Sequence, residues 1–283
     1  VSPQALFQLV ERWVPPAGVA HHHRSQGYGA ERLAEAIRAG ELTNYYQPKV
    51  HVSTGEMAGV ETLVRWRHPQ GGVVLPESFL PVAIQAGHIA ALGRWIIAQA
   101  IADAAAWPAP IGLAVNVSAE ELRDPGFVGH IGDCLDRFGL AAHRLTIEIT
   151  EASLLGDAGS LPRRLGELRS RGVRIALDDF GIGLSTMNLL RQFPVDFLKV
   201  DRSFTRAMLD GGREAELVDI IIKLGQVFDM PTTVEGVENE RQMHMALSLG
   251  ASAVQGYLIS QPVPAGEIAH MLIAARRVET LEP

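Results

Sequence analysis

Positive charge is scarce in this sequence. Lys and Arg number 25 against 32 Asp and Glu among 283 residues, a net charge of −7. No basic field recommends a DNA or RNA duplex as partner, although a small phosphorylated ligand stays open if cations gather locally. Cysteine is almost absent. The single thiol, Cys134 in "HIGDCLDRFG", excludes an intrachain disulfide and fits a reducing, cytoplasmic compartment. Its expected role is core filling. Long uncharged apolar runs are missing as well. "IAALGRWIIAQAIADAAAW" comes closest, but Arg94 and Asp103 interrupt it, so no membrane span is expected. The start lacks a basic region followed by an apolar one, so no signal peptide is expected. The chain opens on Val1, not Met, and is expected to be a piece of something longer.

What is present is an ordinary globular composition, 47% hydrophobic and 20% charged. That suits one large barrel-type domain or two small ones. "VSPQALFQLVERW" has Ser2 as N-cap, Pro3 in the first turn and apolar residues at helical spacing, which predicts a helix. "VPPAGVAHHHRSQGYG" reads as a linker. Its His21–His23 tract lacks an acidic or Cys neighbour and reads as solvated rather than metal-binding. "AERLAEAIRAGEL" is a second amphipathic helix, and the two helices look like a connector to an upstream module. The division expected is residues 1–29 as helix and linker, then residues 30–283 as the main domain.

From Tyr45 the pattern alternates. "YYQPKVHV", "MAGVETLVRW", "GLAVNVS", "RLTIEIT", "RIALDDF", "DFLKVD", "PTTVEGV" and "AVQGYLI" read as strands, with helical runs between them. Repeated β then α means parallel strands with helical crossovers, and roughly eight units is the count of a closed (β/α)8 barrel. Pro48 sits awkwardly in the first strand because it removes a ladder donor, so that strand is expected to pair atypically.

The polar residues that interrupt or end these runs carry the functional signal. They are Glu61, Asn116, Glu148, the adjacent Asp178 and Asp179, Lys199 with Asp201, Glu235, and Gln255. Strand C-termini of a parallel barrel converge on one mouth, so these groups would meet in a small volume. Crowded carboxylates repel and are costly to desolvate unless a cation compensates. Oxygen-only donors favour hard cations such as magnesium or manganese, and the absence of His and Cys at these positions argues against structural zinc. The carboxylates exceed what one magnesium takes. With one aspartate bridging, two ions would form a clamp suited to displacement at phosphorus, and Lys199 would stabilise charge or orient water. Each residue alone has a plainer reading. Asp178–Asp179 is compatible with a cap and turn, Lys199 with a structural ion pair, and Ser118 with Glu121 forms a capping box after Asn116. These plainer readings would all have to hold at once to defeat the metal site.

Those residues fall in stretches that resemble the EAL-domain family of cyclic di-GMP phosphodiesterases. They are "YQP", "VETLVRWRHP", "VNVS", "EITE", "DDFG", "LKVDRSF", "VEGVE" and "QGYLIS", in that order from about Ala30 to Met271. The resemblance implies a TIM-like (β/α)8 barrel whose first strand is antiparallel. It implies metal-dependent hydrolysis of cyclic di-GMP to linear 5'-pGpG, with two magnesium or manganese ions. By that likeness Glu61, Asn116, Glu148 and Asp178 would hold the first metal, and Asp178, Asp179 and Glu235 would surround the second. Lys199 would hold the attacking water and Glu238 would support that network. Glu151 would hold the loop after "DDFG", and Gln47, Arg65 and, at the barrel rim, Gln255 would contact substrate. The likeness also implies a homodimer, while "VSPQALFQLVERW" resembles the last helix of a response-regulator receiver domain and suggests an upstream sensor or receiver domain as partner.

Two departures stand out. "ETL" puts Thr62 where the family has alanine, with a mild expected effect. "DDFGIGLST" replaces the usual D-D-F-G-T-G-Y-S-S, with Ile182, Leu184 and Thr186 in place of Thr, Tyr and Ser. The altered loop keeps a second reading open, a catalytically weak cyclic di-GMP receptor. A third is a barrel enzyme acting on another phosphate ester.

Overall fold

Leu42–His51 (β1) and Met57–His68 (β2) pair antiparallel, from Leu42 opposite Trp66 to Val50 opposite Met57. The computed structural model describes residues 28–70, 72–154, 159–181, 186–209 and 211–279. The helix expected near the start and the His21–His23 tract lie outside them. Gly72–Val74 (β3) folds back on β2. Gly112–Asn116 (β4), Leu145–Thr150 (β5), Arg174–Phe180 (β6), Phe197–Val200 (β7), Thr232–Val234 (β8) and Ala253–Gln255 (β9) then add in parallel, beginning beside β2. β9 meets β1 antiparallel, with Gln255 opposite Lys49, and closes the barrel. Val263–Pro264 (β10) caps the other end of β1 at Tyr45 and Tyr46. The result is the expected eight-stranded barrel with an antiparallel first strand, plus two short strands that the sequence pattern did not reveal.

The register explains Pro48. On one side it faces Val60 of β2. On the other, β10 pairs with residues 45 and 46 and β9 with residues 49 to 51. Pro48 falls in the gap between those two partners, where a missing N–H costs least.

Alternation along the parallel strands separates two environments. Leu145, Ile147, Ile149, Ile175 and Leu177 face outward into the main core beneath the helices. Thr146, Glu148, Ala176, Lys199 and Thr233 line a cavity of about 200 Å³ inside the barrel. Interiors of such barrels are ordinarily filled by bulky branched side chains. Small and polar residues here leave room for charge. The outer helices include Ile89–Ala106, long and apolar enough by length and composition to cross a bilayer. It buries Ile97, Ala100, Ile101 and Ala104 in the core, as a helix of a globular core does. Cys134 is a free, buried core thiol, as expected.

Three expectations change. The helix Ala30–Arg38 is docked rather than a free connector, with Leu33 and Ala36 in a second apolar cluster around Trp66 and Phe79. Trp66 Nε1 donates to Glu41 just beyond that helix at 2.8 Å. The strands read from "PTTVEGV" and "AVQGYLI" stop early, at Val234 and Gln255. Gly236 adopts φ +67°, and a Cβ on Gly256 would lie 2.1 Å from the carbonyl oxygen of Val237, so the chain turns there and only glycine fits. Finally, Glu61 is not at a strand end, because β2 runs on to His68.

Thr62 is buried with no hydrogen-bond partner in the protein for its hydroxyl. An unpaired buried hydroxyl destabilises by about 1 kcal/mol or more. Thr62→Val should therefore raise the melting temperature by roughly 2–4 °C in a calorimetric scan; an unchanged or lower midpoint would contradict the assignment.

Candidate active site

Lys199 lies on β7, its side chain 2% exposed. Its ammonium donates to Glu148 Oε2 at 2.7 Å, to Asp178 Oδ2 at 3.0 Å and to Glu61 Oε2 at 3.4 Å. Glu235, just past β8, brings Oε1 to 2.6 Å as a further ion pair. Carboxylates 174 residues apart in sequence thus share one cation, because parallel strands bring Glu61, Glu148, Asp178 and Glu235 to one level. Asn116 Nδ2 and Gln255 Nε2 each donate to Glu61 at 2.7 Å. Lys49 reaches the other oxygen of Glu148 at 3.3 Å.

Four carboxylates therefore face two ammonium groups. Burial lowers the pKa of Lys199, but Asp178, Glu148, Glu235 and Glu61 outweigh it and hold the lysine well above its ordinary value. Burial pushes Glu148 up against the pull of Lys199 and Lys49. Burial also drives Glu235 well above the usual carboxylate range, with Asp178 and Glu61 adding to it. For Glu61, burial is outweighed by Lys199, Asn116 and Gln255, and the net direction is downward. Carboxylates outnumber ammonium groups in the cluster, and the side chains that could ligate a metal there offer oxygen. That composition fits a hard divalent cation. In this arrangement the carboxylates fold onto Lys199, and among the described residues no three stand apart as a ready coordination group. Asn116 points its nitrogen at Glu61; a half-turn of the amide presents the oxygen that a metal needs.

Asp179 stands beside this group. Its φ of +53° is a left-handed conformation that non-glycine residues adopt at a cost of about 1–3 kcal/mol. Its N–H donates to Asp178 Oδ1 at 2.8 Å. Burial, Asp178 and Asp201 raise its pKa to about 6. Asp201, read from sequence as part of the cluster, caps the helix Arg202–Ala207 by accepting from Ser203 N–H at 2.8 Å.

The remaining expected residues divide. Gln255 is buried within the cluster rather than at the rim, where it was expected. It donates to Gln47 Oε1 at 3.1 Å, and Gln47 donates to the Ser260 carbonyl at 3.0 Å. Arg65 is buried over the Tyr45 ring, with Nε lacking a partner. Glu151 is buried at the head of the helix Glu151–Leu154, while residues 182–185 of the loop it was expected to hold lie outside the described residues. Glu238 is set apart. Beyond the Gly236 turn its half-exposed carboxylate meets Arg206 at 3.8 Å, not Lys199. Lys49 was not singled out from sequence. The signal was there, since alternation puts it on the same face as Gln47, but its partner is 99 residues away.

A closed mixed barrel carrying an acidic cluster on a buried lysine defines a class of (β/α)8 protein. The chain belongs to the EAL domain family, whose profile matches residues 30–262. It is 35% identical over 240 residues to the bifunctional diguanylate cyclase/cyclic di-GMP phosphodiesterase MucR of Pseudomonas aeruginosa, covering 83% of this chain and 35% of that protein. With the oxygen sensor protein DosP of Escherichia coli it shares 36% over 240 residues, 83% of this chain and 30% of DosP. The solved structure of the MucR phosphodiesterase in complex with c-di-GMP matches with a TM-score of 0.81 at 35% identity, covering 84% of this chain and 98% of that one. The chain spans about a third of the length of these two curated relatives.

The raised pKa of Asp179 has a definite sign. Its stabilising share is fully present below the unfolded value near 4 and is lost as pH rises through about 6. The metal-free protein should therefore melt at lower temperature as pH rises from 5 to 7, and Asp179→Asn should flatten that slope. An unchanged slope in the variant would contradict it.

Proposed function

We propose that this chain is a divalent-metal-dependent phosphodiesterase that hydrolyses cyclic di-GMP to linear 5'-pGpG. The observation that carries the reading is the convergence of Glu61, Glu148, Asp178 and Glu235 on Lys199. Glu61, Asn116, Glu148 and Asp178 would hold a first magnesium or manganese ion, and Asp178, Asp179 and Glu235 a second. Such ions supply an activated water and charge stabilisation at phosphorus. Lys199, held protonated by its carboxylates, donates to the attacking water and orients it but does not take its proton. Arg65 offers its unpaired Nε to a phosphate oxygen. Water attacks phosphorus, its oxygen stays bonded there, the bond to one 3' oxygen breaks, and one proton of the water ends on that departing oxygen.

The same reading places the protein in the cytoplasm, with residues 1–29 joining the barrel to an upstream sensor or receiver domain. A homodimer belongs to it too. Leu217, Ile220 and Val227 are exposed along one side of the helix Arg213–Val227, apolar surface that a second copy would cover.

Incubation with cyclic di-GMP, followed by nucleotide separation, should yield pGpG with magnesium and none without it, and none with Glu61→Ala. Tight binding without turnover in the parent chain would replace the enzyme reading with the receptor one. In sedimentation, Ile220→Asp should shift a dimer to monomer; a parent chain that is monomeric at high concentration would refute the interface.

A further inference from the structure

We propose that Lys49 is a positioning residue for Glu148. It holds one carboxylate oxygen so that the other alone faces the ion. The inference rests on the metal-dependent reading above.

The antiparallel course of β1 makes this possible. Its inward residues descend from the mouth through Gln47 to Lys49, whose backbone sits opposite Gln255 and Gly59. From there the Lys49 ammonium reaches Glu148 Oε1 at 3.3 Å, while Lys199 holds Oε2 at 2.7 Å. The Glu148 side chain is fully buried and the Lys49 side chain is 16% exposed. The two lysines differ in reach. Lys199 contacts four carboxylates, whereas the ion pair of Lys49 is with Glu148. The direct contact of Lys49 is thus with one oxygen of one proposed ligand.

That oxygen matters for coordination. Magnesium demands near-ideal octahedral geometry. A carboxylate free at one oxygen can rotate or chelate, whereas with Oε1 tied by Lys49 only Oε2, the oxygen now on Lys199, is left to turn to an ion. Partners of this kind orient metal ligands, and their loss typically weakens metal affinity 10- to 100-fold. Lys49, Glu148 and Lys199 border the cavity of about 200 Å³ together with Thr146, Ala176 and Thr233.

The test is titration of the metal-free full chain with Mn2+ alone, free ion being read by electron paramagnetic resonance, beside a thermal melt. Lys49→Met should weaken Mn2+ binding about 10-fold or more, and Lys49→Arg should recover most of it. In a Glu148→Gln background, Lys49→Met should add no further loss. Parent-like Mn2+ affinity in Lys49→Met with a lowered melting temperature would reduce Lys49 to structural charge balance and overturn the proposal. An equal loss in the Glu148→Gln background would overturn it too. If the Met variant does not fold, Lys49→Gln is judged by the same outcomes. A chain that passes these tests yet leaves cyclic di-GMP intact refutes the phosphodiesterase reading alone; a parent chain that binds no Mn2+ refutes both.

Discussion

The ammonium of Lys199 draws carboxylates from β2, β5, β6 and the end of β8 onto one point inside the barrel. Without that cation, buried like charges at this separation would repel and take up protons. With it, the cluster is held but still carries more negative than positive charge. This imbalance shapes the site. It adds to burial, the larger cause, in raising the pKa of Glu148 and Glu235. It makes the centre of the barrel a place where a divalent cation is favourable.

The barrel wall makes such a cluster tolerable. Its outward residues are aliphatic and pack under the helices, so stability resides outside the strands. The inward positions are thereby released from filling a core and hold Thr, Ala and charged groups instead. The antiparallel β1 adds to this. It feeds Gln47 and Lys49 into the interior from the side opposite β6 and β7, and its pairing gap at Pro48 lets β10 and β9 divide its outer edge. Gln47, Gln255 and Glu61 then form a buried hydrogen-bonded chain from the Ser260 carbonyl to the acidic cluster.

Strain and charge coincide at the end of β6. Asp178 points to Lys199, and its neighbour Asp179 takes a left-handed conformation that turns its side chain toward Asp201. Adjacent carboxylates thus avoid facing each other across one short gap. The conformational cost is offset by contacts that the surrounding structure imposes.

The barrel, its parallel strands and the polar residues interrupting them were legible in the sequence, because side-chain alternation and βα spacing are local properties. Glu61, Glu148, Asp178, Lys199 and Glu235 could be nominated on that ground alone. The two- and three-residue strands β3 and β10 were not legible, since so short a run has no period. Nor were the docking of the helix Ala30–Arg38, the inward position of Gln255, the departure of Glu238 toward Arg206, or the hold of Lys49 on Glu148. Those depend on which way the chain turns after Val234 and Gln255, and on a strand running against its neighbours. Alternation determines that a residue faces inward, but only closure of the barrel decides which distant residue it meets there.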